Sequence, residues 1–412
     1  MQKHEAIQAA VAEAFERQVD FLQRLVRTRS ANPFTPDMSS PDVPVEQAVA
    51  AVVHQELLHF GLPAQLHGVS PQRPNVLCAL PGQCRSRKTL ILTTHMDTVQ
   101  PSAGYTRDPW EAHVEGGHLY GLGAADAKAQ IAIFIYAAHA LRQAGIELVG
   151  NLTLAFTVDE EPGACSPFGT RYLLDQGLLH GDAVIVGEPG DDKIAVAHRG
   201  LYRFRLRTRG EATHVGLKAW EEKRQGRNAI LVMARIALAL SECSLPLVQS
   251  AAFPNRKSVL TFPTLIQGGS GINTVPELCE AYGDVRLLPG LSVEEVKWLI
   301  EDQLQALSIT AYYLDDIVSI PAVETDQHAE VVQALVRAAE TVTGTKLRVE
   351  GAGPACDGWM FITRGIPTVC GYGVACGGVH GADEWADLES LRKATEIYAL
   401  AIVDYLKEES AS

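Results

Sequence analysis

Five groups of histidine and acidic residues are the parts of this sequence best suited to chemistry. In chain order they are His95 with Asp97, Asp126, Asp159-Glu160-Glu161, Glu188 and His380. Imidazole nitrogens and carboxylate oxygens bind hard or borderline cations such as zinc, without any need for thiolate. The adjacent carboxylates of Glu160 and Glu161 would repel each other unless a cation lay beside them. The pattern therefore predicts a site for a pair of metal ions.

The spacing within two groups suggests a division of tasks. Alternation along a strand places His95 and Asp97 on one face, where His95 can bind a metal and Asp97 can accept the other ring N–H. In the pair Glu160-Glu161, one carboxylate can bind a metal while its neighbour takes a proton from water. Taken alone, the two groups also fit a surface pair beside a turn and a solvated acidic turn.

The three single residues are open to two interpretations each. Asp126 precedes a predicted helix, so it is either a helix cap or a carboxylate that bridges two metals. Glu188 follows a very apolar strand, where a buried charge must be paired or bound to a metal. His380 lies in a glycine-rich stretch and is either a structural histidine or a ligand.

The chain predicts an α/β fold in which strands lead into these groups. The strands are predicted at 89–94, 152–158, 183–186 and 368–372, and the helices at 45–60, 129–143 and 329–343. Because ligands collect beyond the carboxyl ends of strands in open α/β sheets, the distant groups can converge on one crevice.

The middle of the chain has a different pattern. It predicts a strand at 200–208, a helix at 225–241, strands at 258–267 and 278–287, and a helix at 293–307. This order describes a small α+β sandwich inserted into the main domain. We therefore predict a first part of the catalytic domain at 1–198, an insert at 199–315 and a second part at 316–412.

Three residues of the insert could contact a substrate. His214 or Asn273 could donate to a developing oxyanion, and Arg286 could bind a carboxylate with two hydrogen bonds. From the residues alone, a hairpin turn, a loop and a strand-surface charge explain them equally well.

The composition narrows the classes of partner. The formal net charge of −14 disfavours nucleic acid and anionic membranes. No apolar run reaches the roughly 18 residues that would span a bilayer, and the N-terminus resembles an amphipathic helix, so we expect a soluble cytoplasmic protein. The eight cysteines form no C-x-x-C pair, and we expect them to be reduced.

These motifs resemble the acetylornithine deacetylase, succinyl-diaminopimelate desuccinylase and glutamate carboxypeptidase family of dinuclear zinc peptidases and amidohydrolases. The matching segments are Thr94-His95-Met96-Asp97-Thr98-Val99, Asp159-Glu160-Glu161, Gly187-Glu188-Pro189 and His380-Gly381-Ala382-Asp383-Glu384, with 121–128 similar to the bridging-aspartate segment. The resemblance covers essentially the whole chain. It implies a catalytic domain with a mixed central sheet flanked by helices, and an inserted lid that forms a homodimer.

The resemblance also implies a role for each residue. Two zinc ions per subunit, replaceable by cobalt or manganese, would share Asp126, which a cis peptide would follow. His95 and Glu188 would complete one metal site, and Glu161 and His380 the other. Glu160 would be the general base, and Asp97 would orient His95. Three lid residues would serve the substrate: His214 reaching a neighbouring subunit's site to stabilise the oxyanion, and Asn273 and Arg286 holding the carboxylate.

The expected activity is hydrolysis of an amide bond in an N-acyl amino acid or small peptide with a free carboxylate. Glu188, in place of an aspartate, favours the deacylase and carboxypeptidase branch. Ala127 and Ala129 replace the Met and Gly often found after the bridging aspartate, which puts substrate identity in doubt. The alternatives are a metallo-dipeptidase or aminopeptidase of the same fold and, more remotely, a non-catalytic binding relative.

Overall fold

The computed structural model describes residues 2–33, 40, 42–84, 88–162 and 167–407. Cys165, one of the eight cysteines, lies outside these residues. The chain forms two compact units. The larger unit contains 1–197, 324–352 and 356–412, and the inserted unit contains 198–323 with 353–355.

The larger unit is built from helices and three sheets. Numbered along the whole chain, its described helices are α1 (Gln2–Arg27), α2 (Gln47–His59), α3 (Ala129–Gln143), α4 (Thr170–Asp175), α8 (Glu330–Thr343), α9 (Gly358–Ile362) and α10 (Leu388–Tyr405). The strands of its main sheet are β1 (Ala64–His67), β2 (Asn75–Leu80), β3 (Thr89–His95), β6 (Asn151–Thr157), β7 (Ala183–Val186) and β15 (Thr368–Val369).

The main sheet is mixed, in the order β1-β2-β6-β3-β7-β15. Strands β6, β3, β7 and β15 are parallel, whereas β1 and β2 pair antiparallel. Strands β3 and β7 are almost continuously buried and β7 is entirely apolar, as expected for parallel strands covered on both faces. Ile91 and Val184 pack with Leu173 of α4 and Phe361 of α9, while α3 contacts β3 and β6.

Two smaller sheets complete this part of the chain. One contains β4 (His113–Glu115), β5 (His118–Tyr120), β16 (Cys376–Gly377) and β17 (Trp385–Asp387), and the other β8 (Lys193–His198), β13 (Val323–Glu324) and β14 (Arg348–Ala352). A wide helical turn at Ala124–Lys128 follows β5 and leads into α3. Helix α3 is buried on nearly all sides, which agrees with its largely apolar sequence.

The inserted unit is a sheet with two helices packed against it. Its elements are β9 (Gly200–Arg209), α5 (Lys218–Glu221), α6 (Ala229–Glu242), β10 (Val259–Gly268), β11 (Leu278–Leu287), α7 (Val293–Ala306) and β12 (Tyr312–Ile320). The sheet is antiparallel in the order β10-β11-β9-β12. Phe204 of β9, Met233 of α6 and Val296 of α7 belong to its core.

The inserted unit ends at Val323, whereas the sequence placed its end at 315. The reason is strand β12, which pairs along β9 and was not predicted. Within the described part of the chain, no helix is long and apolar enough to cross a membrane. The described cysteines form no disulfide bonds with one another.

Candidate metal centre

The ends of three neighbouring parallel strands bring the predicted residues together. Strand β3 ends at His95, β6 is followed by Glu160 and Glu161, and β7 is followed by Glu188. Because β6, β3 and β7 are adjacent and parallel, their carboxyl ends share one edge of the sheet. The sheet thus supplies both histidine and carboxylate ligands to one place.

Asp126 lies between two imidazoles. Its Oδ1 is 3.1 Å from Nε2 of His95, and its Oδ2 is 3.2 Å from Nε2 of His380. The peptide bond after it, to Ala127, is cis, as the resemblance implied. Each oxygen of this carboxylate therefore faces a different histidine.

Two groups of possible ligands share Asp126. One contains His95, Asp126 and Glu188, and the other contains Asp126, Glu161 and His380. Within each group the ligand atoms lie within 4.8 Å of one another. In the second group, Nε2 of His380 is 3.1 Å from Oε2 of Glu161.

These distances fit metal coordination. Two ligand atoms bound to one tetrahedral zinc ion at about 2.0–2.1 Å lie roughly 3.3 Å apart. The observed separations of 3.1 and 3.2 Å between histidine nitrogens and carboxylate oxygens are close to that value. The donor set of imidazole and carboxylate suits zinc, cobalt or manganese.

The electrostatics of the site also require positive charge. Burial, and then repulsion among the site's carboxylates, raises the pKa of Glu160, Glu161 and Glu188 above the ordinary range. Hydrogen bonds to Asp126 and Glu161 raise the pKa of His380 to about 10. The carboxylates thus favour a positive charge on the imidazoles, and bound cations would supply the same charge while leaving the histidines neutral.

Asp97 contacts other residues in addition to His95. Nδ1 of His95 lies 3.0 Å from the main-chain oxygen of Asp97 and 3.5 Å from its carboxylate, so the main chain is the closer acceptor. The carboxylate instead accepts the backbone N–H groups of Glu160 and Glu161 at 3.2 and 3.1 Å. Asp97 therefore fixes the two glutamates as well as the histidine.

A buried polar network behind Asp97 was not predicted. Asn32 donates to Asp97 at 2.9 Å and to Asp159 at 2.8 Å. Arg73, fully buried, donates to Asp159 at 2.9 Å and forms two hydrogen bonds with Glu46. Glu46, Asp97 and Asp159 also form a compact acidic group, but the guanidinium of Arg73 already supplies its cation.

In the inserted unit, the structure brings together two of the three predicted substrate residues. Nδ2 of Asn273 is 3.5 Å from Nε2 of His214, and both side chains are exposed. Arg286 lies near the other end of β11, eight residues beyond Leu278, which corresponds to about 26 Å of strand. Its guanidinium is held by Asp284 at 2.7 Å.

Comparisons with known proteins agree with this architecture. The sequence profile described as Peptidase family M20/M25/M40 matches residues 91–404. The chain is 27% identical over 396 residues to acetylornithine deacetylase of Proteus mirabilis (strain HI4320), covering 92% of this chain and 95% of that protein.

Two solved structures share the fold. Aminopeptidase PepT from Bacillus cereus ATCC 10987 has a TM-score of 0.73 at 22% identity, covering 95% of this chain and 98% of that chain. A dinuclear metal-binding peptidase of family M20 from Bacillus subtilis has a TM-score of 0.68 at 17% identity, covering 96% and 99%.

Proposed function

The chain belongs to peptidase family M20/M25/M40, and on that premise we propose that it hydrolyses the amide bond of an N-acyl amino acid or small peptide with a free carboxylate. The observation that carries the proposal is the position of Asp126 in both ligand groups. A shared carboxylate is what a pair of adjacent metal ions needs. The similarity to acetylornithine deacetylase supports a deacylase.

We propose two zinc ions per chain. His95, Asp126 and Glu188 would hold one ion, and Asp126, Glu161 and His380 the other. When bound, the ions polarise the scissile carbonyl and lower the pKa of a bound water. Cobalt or manganese would suit the same donors.

Glu160 is the proposed general base. It belongs to neither ligand group, and its backbone N–H is held by Asp97, so its side chain is free to handle protons at the edge of the sheet. Its carboxylate accepts a proton from the attacking water and donates it to the nitrogen of the leaving amine. The water oxygen forms the new C–O bond by adding to the carbonyl carbon, and the C–N bond then breaks as the carbonyl re-forms and the amine leaves with the proton from Glu160.

The insert residues support a homodimer. Arg286 lies near one end of β11, and His214 and Asn273 lie before its other end. The eight residues from Leu278 to Arg286 alone correspond to about 26 Å of strand, more than a small substrate spans. We propose that His214 of one subunit stabilises the oxyanion in the partner's site, and that Asn273 of the same subunit and Arg286 of the partner subunit hold the substrate carboxylate there. Leu231 and Leu238 on α6, and Leu265 and Ile266 on the edge strand β10, are exposed and suit such an interface.

A substrate panel tests the proposed activity. Zinc-loaded enzyme is assayed with N-acetyl and N-succinyl amino acids, with unblocked dipeptides, and with carboxamide versions of each. We expect turnover of carboxylate substrates with a blocked amine and little turnover of their carboxamides. Hydrolysis confined to substrates with a free amine would contradict the proposal and favour an aminopeptidase or dipeptidase.

Cytoplasmic localisation stays a prediction from the sequence.

A further inference from the structure

Glu384 lies four residues after His380 and is 1% exposed. Its carboxylate accepts three backbone hydrogen bonds from the turn that contains Asp126. Oε2 accepts from the N–H of Gly123 at 2.9 Å, and Oε1 accepts from the N–H groups of Ala125 and Asp126 at 2.8 and 3.0 Å. One buried side chain therefore holds most of this turn, including the main chain of Asp126 itself.

The turn needs this acceptor because its backbone leaves the helical path. Asp126 has φ −116° and ψ 91°, and Ala127 has φ −128° and ψ 32°. Gly123 is left-handed at φ 81°, and a Cβ there would lie 2.6 Å from Thr98. Since a buried N–H without an acceptor is costly, three such groups pointing at one place form a binding site for an anion.

The same loop reaches the metal centre from a second side. The main-chain oxygen of Glu384 accepts the N–H of Gly121 at 2.9 Å, so main chain and side chain both bind the turn. His380, at the start of the loop, places Nε2 at 3.2 Å from Oδ2 of Asp126. The segment 380–384 thus contributes a ligand and also fixes the backbone of the ligand shared by both groups.

We propose that Glu384 is a positioning residue that holds Asp126 so that its two carboxylate oxygens face the two metal sites. The proposal rests on the proposed function, because it assigns Glu384 a role in metal binding. Glu384 belongs to neither ligand group, so its effect passes through the backbone of Asp126. The alternative is an anchor that stabilises the fold without affecting the metals.

The substitution Glu384→Gln separates these possibilities. Glutamine has the same shape, but its NH₂ group must face at least one of the three backbone N–H groups. Substitution of residues that orient metal ligands typically weakens metal binding about 10–100-fold. We expect a loss of that size for both Zn²⁺ ions, measured by competition with a chromophoric chelator. The visible absorption of the Co²⁺-loaded variant should also change.

Glu56→Gln is the matched control. Glu56 is also buried, 2% exposed, and accepts three hydrogen bonds, from Arg17, Arg24 and Tyr136. These contacts join α1, α2 and α3, and Glu56 belongs to neither ligand group and makes no hydrogen bond to the turn at Ala124–Lys128. The control should lower the thermal unfolding temperature and leave both the Zn²⁺ affinity and the Co²⁺ spectrum unchanged.

Zn²⁺ binding by wild type and by the variants separates failure of the proposed function from failure of the role of Glu384. If wild-type enzyme binds no Zn²⁺, the proposed function fails. If wild type binds Zn²⁺ and Glu384→Gln binds it equally well, only the role of Glu384 is overturned. If Glu384→Gln does not fold, Glu384→Asp is measured, because it keeps the charge but is one methylene shorter. Wild-type affinity in that variant would also overturn the proposal, and a weaker affinity with the fold retained would support it.

Discussion

At the scale of single residues, Asp126 has the contacts that a shared ligand requires. Its two oxygens lie 3.1 and 3.2 Å from the imidazoles of His95 and His380. A helix-capping aspartate, the other interpretation of this residue, would instead accept a backbone N–H from the following turn. The observed contacts favour the metal-bridging interpretation.

Glu160 gives the clearest prediction for a single side chain. In Glu160→Gln, kcat should fall by about 10²–10⁴-fold, because an amide cannot transfer the proton. The zinc content should not change, since Glu160 belongs to neither ligand group. Steady-state kinetics and metal analysis of one sample measure both quantities. The exposed Glu147→Gln is the control and should keep full activity. Near-normal turnover in Glu160→Gln would exclude Glu160 as the base.

At the scale of elements, Arg73 connects two segments that are distant in sequence. It joins Glu46 before α2 to Asp159 after β6, and all three side chains are buried. In Arg73→Met, removal of one partner of a buried ion pair should cost about 3–5 kcal/mol in free energy of unfolding.

Urea denaturation measures this cost against Arg107→Met. Arg107 pairs with Glu115 on the surface, where the side chains are 40% and 59% exposed. An exposed pair contributes about 0–1 kcal/mol. Equal losses in the two variants would show that the buried network is not important for stability.

His139 on α3 predicts a dependence of stability on pH. Burial, and then the charges of Arg17 and Arg142, lowers its pKa from 6.5 to about 4. Between pH 6.5 and 4 the unfolded chain therefore binds a proton that the folded chain does not, and stability falls as pH falls. The imidazole stacks on Phe60 with ring centroids 3.7 Å apart.

The variant His139→Phe keeps an aromatic ring on Phe60 and removes the titration. From pH 7 to pH 5 it should lose about 1 kcal/mol less unfolding free energy than wild type, allowing for partial exposure of the imidazole. Urea denaturation at both pH values measures the difference. An identical loss of unfolding free energy in both proteins would show that His139 does not cause this pH dependence.

Several elements were predictable because their sequence pattern is local. The predicted bounds 129–143, 183–186 and 278–287 agree with α3, β7 and β11. Strand β12 has an irregular burial pattern, so alternation gave no signal for it. The strand predicted at 368–372 pairs with β7 only at Thr368–Val369, because the chain then hydrogen-bonds to Ala195 of β8 through Cys370 and Gly371.

The residues that support the ligands could not be predicted in the same way. Asn32 and Arg73 lie in polar stretches without periodicity, and their partners are 65 to 127 and 27 to 86 positions away. Their roles depend on contacts that only the folded chain creates. Glu384 belongs to a recognised motif, but its three backbone partners appear only once the turn at Ala124–Lys128 is formed.

At the scale of the whole molecule, the homodimer is the prediction to test. Leu238→Glu places a charge on the exposed side of α6 and should convert a dimer to a monomer in light scattering. Trp298→Glu changes an equally exposed residue on α7, which is not part of the proposed interface, and should leave the dimer intact. A monomeric wild type would contradict the dimer.

Mixed dimers test whether His214 acts on the partner subunit. His214→Ala and Glu160→Gln should each have little activity alone, but a heterodimer of the two should contain one complete site. Random reassociation of equal amounts should restore about a quarter of wild-type activity. No recovery, with heterodimers demonstrated by mass, would place His214 in its own subunit's site or outside catalysis.

If the carboxylate of Asp126 serves two metal ions, the number of Zn²⁺ ions bound and their affinities should both depend on it. Zn²⁺ stoichiometry measured alongside titration calorimetry tests this dependence. Wild type should bind two ions per chain. Glu188→Gln and Glu161→Gln should each weaken the binding of one ion, whereas Asp126→Asn should weaken the binding of both. If wild type binds a single ion, or if Asp126→Asn still binds one ion with wild-type affinity, Asp126 is not a ligand shared by two metals.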